Sequence, residues 1–161
     1  MAGDARLPEG HALGDFLEDH RRMREFLDGL LEVLAAEPTP ETVLIIVEGL
    51  DFAARHDALE EDVLFPLLRR RGVRDSLNLF DAEHGHLRSL RGQLKSGLLR
   101  WSLAGPGRGP LPRSLLQQAE AMVERYREHL DREEATVYEE AARLVDDAEL
   151  WDDVERRRAT F

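Results

Sequence analysis

Residues 56–65 read HDALEEDVLF, and residues 129–138 read HLDREEATVY. Both follow one pattern: histidine, three residues, two glutamates, two residues, then an apolar and an aromatic side chain. Outward from His56, the positions Gly49, Ala53, His56, Glu60, Val63 and Leu67 are spaced 4, 3, 4, 3, 4. That spacing is one stripe of an α-helix, the stripe a bundle helix turns toward its partners. Leu115, Ala119, Met122, Tyr126, His129 and Glu133 repeat it. Each stripe therefore carries a histidine and, one turn later, a glutamate where a bundle core takes leucine.

Two further histidines sit on apolar stripes of their own. His20 lies between Phe16 and Leu27, and His84 lies among Leu77, Phe80, Leu87 and Leu94. Residues 19–24, DHRRMR, and 83–88, EHGHLR, share the pattern acidic-His-x-x-apolar-Arg. The chain thus reads as two helical hairpins of one design, each with a lone histidine and an H-x-x-x-E motif. Helices are predicted over about 11–36, 40–71, 75–103 and 111–145, with a short one over about 147–159. Thr39 suits the cap of the second helix and Pro40 its first turn, where a missing N–H costs nothing. Gly72 ends that helix, and Pro66 inside it predicts a kink or interruption of its last turns. The segment AGPGRGPLP, residues 104–112, is the clearest loop. Asp146 or Asp147 is expected to cap the short helix and pack Trp151 and Val154 onto the rest. The expected fold is all-α: an antiparallel up-down four-helix bundle with a short fifth helix, one domain over residues 1–161.

Composition excludes several chemistries. Of 161 residues none is cysteine, which removes disulfides, thiolate catalysis, iron–sulfur clusters and cysteine zinc sites. A formal net charge of −11 argues against a nucleic-acid or anionic-membrane partner. The N-terminal MAGDARLPEG carries no charged-then-apolar signal, and no apolar run approaches the ~20 residues of a membrane span. A cytoplasmic location is the expectation.

His20, His56, Glu60, His84, His129 and Glu133 are therefore expected to face one another from four helices. Burying their carboxylates without compensation would cost several kcal/mol each, and a metal is the simplest compensation. The alternative is a set of buried His–Glu pairs without metal. Four histidines and two carboxylates exceed one tetrahedral zinc. Mixed imidazole and carboxylate donors favour iron or manganese over calcium or magnesium. If both glutamates bridge, two ions share them and each takes two histidines. His11 with Asp15 also matches H-x-x-x-acid, but off the stripe, and is discounted. His86 is expected in solvent, and Glu61 and Glu134 are read as exposed charges.

The ordered set His20, His56-x-x-x-Glu60, His84, His129-x-x-x-Glu133 resembles the hemerythrin-like proteins, or HHE cation-binding domains. The likeness runs from about Leu13 to Leu144 and includes Leu64-Phe65-Pro66. It implies a four-helix bundle around two non-haem iron ions with bridging carboxylates, for which zinc or manganese could substitute. Arg88 stands where the oxygen-carrying members have a second histidine on the third helix. That departure directs the expectation from oxygen carriage toward a site that binds or senses dioxygen, peroxide or nitric oxide. Alternatives are an enzyme decomposing hydrogen peroxide or reducing nitric oxide, and an iron-sensing or iron-handling module. Asp57, adjacent to His56, and Tyr126, one turn before His129, are candidates for an additional metal contact or for a supporting place behind the ligands.

Overall fold

The computed structural model describes residues 11–160. The N-terminal MAGDARLPEG, expected to carry no signal, lies outside the described residues. Helix α1 spans Ala12–Ala35, α2 Pro40–Leu59, α3 Phe65–Arg70 and α4 Asp75–Leu103. Helix α5 spans Arg113–Glu133, α6 Glu139–Leu144 and α7 Asp147–Arg158. Two five-residue π-helical turns, π1 over Glu60–Leu64 and π2 over Glu134–Tyr138, join α2 to α3 and α5 to α6. Backbone angles stay in the right-handed helical region across both junctions, so α2–π1–α3 and α5–π2–α6 are each one continuous rod.

Local chemistry explains the ends. Thr39 caps α2 by accepting from the Thr42 N–H at 3.2 Å, with Pro40 in the first turn. Gly72, at φ 91°, stops the second rod in the left-handed region that glycine tolerates. Asp146 is the residue that caps α7, accepting from Ala148 and Glu149 at 2.9 and 3.3 Å. Asp147 instead accepts from the Ala12 N–H at 2.5 Å and ties α7 to the start of α1. Leu150 and Val154 are the buried face of α7, with Trp151 half-buried beside them.

The expected disturbance near Pro66 takes a form that periodicity did not indicate. The rod does not break; it widens in the turn just before the proline, where the Phe65 N–H reaches the Glu60 carbonyl. A proline ring clashes with the carbonyl four residues back in an α-helix, and a wider turn relieves that clash. Proline is not the shared cause, because π2 has none. What the two turns share is a glutamate-glutamate pair, Glu60-Glu61 opening π1 and Glu133-Glu134 straddling the start of π2.

Helices α1, α2, α4 and α5 pack in a ring, α1 on α2 and α5, and α4 on the same two. Gly49 lies under the Phe26 ring, where a Cβ would collide with it, so glycine sets the close approach of α1 and α2. Two apolar clusters fill the interior. Met23, Ala53, Leu87 and Tyr126 belong to one, and Phe16, Val63, Phe80 and Val137 to the other. Successive rods cross these clusters in alternating order, and each places its polar seam residues between them. Among the described residues no helix is long and apolar enough to cross a membrane.

Candidate metal centre

The layer between the two clusters holds His20, His56, Glu60, His84, His129 and Glu133, each at most 3% exposed. The structure brings all of them together. Their donor atoms form two sets of four, each within 4.8 Å: His20, His56, Glu60 and Glu133, and Glu60, His84, His129 and Glu133. Glu60 and Glu133 are members of both sets. In the first set, His20 Nε2 lies 3.6 Å from Glu60 Oε1 and 3.5 Å from Glu133 Oε2. In the second, His84 Nε2 lies 3.4 Å from Glu60 Oε2, and His129 Nε2 lies 3.3 Å from Glu133 Oε2.

Every imidazole is held from behind by a carboxylate. The Nδ1–H of His20 donates to Glu134 at 2.9 Å and that of His84 to Glu61 at 3.1 Å. His56 donates to Asp19 at 3.2 Å, and His129 to Glu83 at 2.9 Å. This arrangement fixes the tautomer, turns each Nε2 lone pair inward and raises its basicity. The pairing respects the internal repeat. Asp19 and Glu83 precede the lone histidines, and Glu61 and Glu134 follow the seam glutamates. Glu61 and Glu134, read from the sequence chiefly as exposed charges, are half-buried here, and each orients an imidazole across a helix interface. Arg88 reaches Glu61 at 2.9 Å and Arg24 reaches Glu134 at 2.6 Å, so Arg88 belongs to this outer layer.

Burial alone would strip the histidines of their protons, but the carboxylates outweigh it. The carboxylates of Glu133, Glu134 and Glu60 around its ring push His20 up to about 11. His56 and His84 rise to about 9, chiefly through Glu60 with Asp19 and Asp57 contributing, and His129 rises through Glu133. Burial would raise Glu60, yet the His56 charge and the close approach of the His20 and His84 imidazoles hold it well below the usual carboxylate range. The centre of this layer is a place where positive charge is strongly favoured.

Side chains alone do not satisfy it. His56 Nε2, Glu60 Oε2 and both Glu133 carboxylate oxygens are buried with no hydrogen-bond partner. His56 Nε2 is 3.1 Å from Glu60 Oε1 but misaligned for a hydrogen bond. His84 Nε2 faces His129 Nε2 at 3.1 Å, although both rings already spend their Nδ1 protons on carboxylates. Buried orphans are rare in folded proteins, and these converge on shared space. The donor set fits metal cations.

The family model described as the hemerythrin HHE cation binding domain matches residues 11–141. The chain belongs to that family. No curated protein and no solved structure matches the chain. In this hemerythrin HHE chain the buried histidine–glutamate cluster sits well inside the matched region and fits a metal site.

Other expected residues fall elsewhere. Asp57 is in neither donor set; its Oδ2 accepts from buried Arg91 and from the Tyr126 hydroxyl, the latter at 3.2 Å. Arg91 also donates to the Tyr126 oxygen. His86 is exposed, as expected. His11 caps α1, its Nδ1 accepting from the Leu13 N–H at 3.1 Å. The tyrosine at the donor atoms is Tyr138, whose hydroxyl lies 3.1 Å from His20 Nε2 and donates to Glu60 Oε1. Burial, with the charges of Glu60 and Glu133, raises this phenol well above its ordinary value. A surface hollow of about 370 Å³ between α4 and α5, lined by Glu83, His86, Arg125 and Arg132, reaches the edge of His129. A larger hollow of about 850 Å³, lined by Gly92, Trp101 and Gln118, touches none of the six.

Proposed function

We propose that this protein holds two iron ions between its helices and uses them to bind or sense a small ligand: dioxygen, peroxide or nitric oxide. One observation carries the proposal: two four-donor sets share Glu60 and Glu133, and four unpartnered buried atoms lie on those residues and on His56. His20 and His56 would hold one ion, His84 and His129 the other, and the two glutamates would bridge them. Such a pair supplies redox-active, Lewis-acidic positions for a diatomic or peroxide ligand. The four rods are proposed to run up and down in turn, which the alternating order of the apolar clusters supports.

The chain's own residues define what such a site accepts. Phe16, Phe65 and Phe80 pack against His56, His84 and His129 with ring centroids 6.1, 5.4 and 5.6 Å apart, and shield the layer from water. The hollow lined by Glu83, His86 and Arg132 meets the edge of His129 at the surface. Asp19, Glu61, Glu83 and Glu134 keep the imidazoles oriented and draw the Nδ1 protons outward. A cytoplasmic setting is part of this proposal.

Metal analysis after growth in iron-rich medium tests it. Close to two irons per chain, with absorption of carboxylate-bridged ferric ions, is the expected outcome. Iron well below one per chain, unchanged by anaerobic reconstitution, would overturn it. Turnover of hydrogen peroxide or nitric oxide by the loaded protein would assign an enzyme in place of a binder.

A further inference from the structure

The two donor sets are built by a repeat, yet they are not chemically equal. Five residues past Glu60 stands Phe65, its ring stacked on His84 at a centroid distance of 5.4 Å and an angle of 14°. Five residues past Glu133 stands Tyr138, fully within the interior at 4% exposure. Its hydroxyl contacts two atoms of the His20–His56 set, Nε2 of His20 and Oε1 of Glu60. Neighbouring donor atoms within that set are 3.1 to 3.6 Å apart, and the Tyr138 oxygen stands 3.1 Å from His20 Nε2. The phenol oxygen therefore occupies one more corner of the same cluster. No atom of Phe65 can do the same for the other set.

We infer that Tyr138 is a fifth protein donor to the ion held by His20 and His56, which leaves the His84–His129 position as the one open to exogenous ligands. The inference rests on the di-iron proposal and sharpens it. On binding, the phenol O–H bond breaks, its proton leaves to solvent, and an oxygen lone pair forms the bond to the cation; no electron is transferred. The open position then lies on the side where the hollow between α4 and α5 reaches His129.

The chain has only two tyrosines, Tyr126 and Tyr138, which makes the test clean. Ferric protein with two irons per chain should show a visible phenolate-to-iron charge-transfer band. Tyr138→Phe should keep its iron and lose the band; Tyr126→Phe, whose hydroxyl bonds Asp57 and Arg91, should keep both. Resonance Raman of the wild-type protein, grown with ring-deuterated tyrosine, reads the same bond without any variant and covers a Tyr138→Phe protein that does not fold. Azide should add its own absorption and leave the tyrosinate band in place. Two bound irons with no tyrosinate signal, or a signal that survives Tyr138→Phe, overturns the inference while the metal centre stands. Loss of the band on azide addition overturns the open position assigned here. Failure to load iron at all overturns the metal centre, and the inference with it.

Discussion

The two halves of the centre share almost everything except one oxygen atom. Each has two histidines, both glutamates, and an outer carboxylate behind each imidazole. Each has a phenylalanine one turn before its lone histidine, Phe16 and Phe80. Among the side chains that reach the donor atoms, the difference is the residue five past the seam glutamate, tyrosine beside His20 and phenylalanine beside His84. A repeat supplies the symmetric scaffold for two cations, and a single hydroxyl gives the two positions different tasks.

The strongest way to break the comparison is through what the halves share. Glu60→Ala or Glu133→Ala removes a donor from both sets and should take iron from about two per chain to one or none, read by metal analysis. His86→Ala should retain both. Removing donors that only one half uses should be gentler. His56→Ala or His129→Ala is expected to leave about one iron per chain, and the tyrosinate band should survive only in the His129 variant.

Acid–base behaviour separates empty from loaded protein. His56 and His84 are raised to about 9 and His20 to about 11, above an ordinary value of 6.5. The folded chain thus holds these protons more tightly than the unfolded one. Their stabilisation is complete below the ordinary imidazole value and is lost as pH rises through the folded values. Chelator-treated protein should therefore show a lower denaturation midpoint at about pH 10 than at neutrality, and iron-loaded protein should show far less change. Equal pH dependence of the two would mean that the imidazoles do not exchange protons for metal.

Smaller effects lie in the outer layer. Glu134→Gln and Glu61→Gln should each weaken metal affinity by about 10- to 100-fold, the first at the tyrosine side and the second at the open side. Arg24→Ala and Arg88→Ala act one step further out, on pairs partly in solvent. Each should cost no more than about 1 kcal/mol in denaturant unfolding.

Much of this was legible in the chain. The 4, 3, 4, 3 seams of residues 49–67 and 115–133 predict the helices, and the repeat predicts which histidines and glutamates share the interior. Arg91 lay on the same stripe as His84, between Leu87 and Leu94, and its partner Asp57 stood next to His56. An arginine in a leucine seam was a signal, and it points to the buried network in which Asp57, Arg91 and Tyr126 bond one another. The outer carboxylates were harder to see. Each is one residue from a seam position, about 100° around an α-helix, and is read as solvent-facing unless the packing of the neighbouring rod is known. Tyr138 was hidden by geometry: five residues is about 140° away from Glu133 in a regular helix. Only a widened turn returns it to the same face, and hydrophobic periodicity carries no mark of that widening.

The π turns also bear on how this chain tolerates change in length. Removing a residue from an ordinary helix rotates everything beyond it by about 100° and scrambles the core. A π turn is a helix carrying one surplus residue, so deletion there restores regular pitch without rotating the downstream residues. Asp62 and Ala135 are exposed members of π1 and π2. Excising either should leave a folded protein whose downstream helix keeps its buried face, whereas the same excision at Arg55 or Glu128 should not. The two stretches of rod that touch the metal layer are therefore ones that can lose a residue while the bundle around them stays in register.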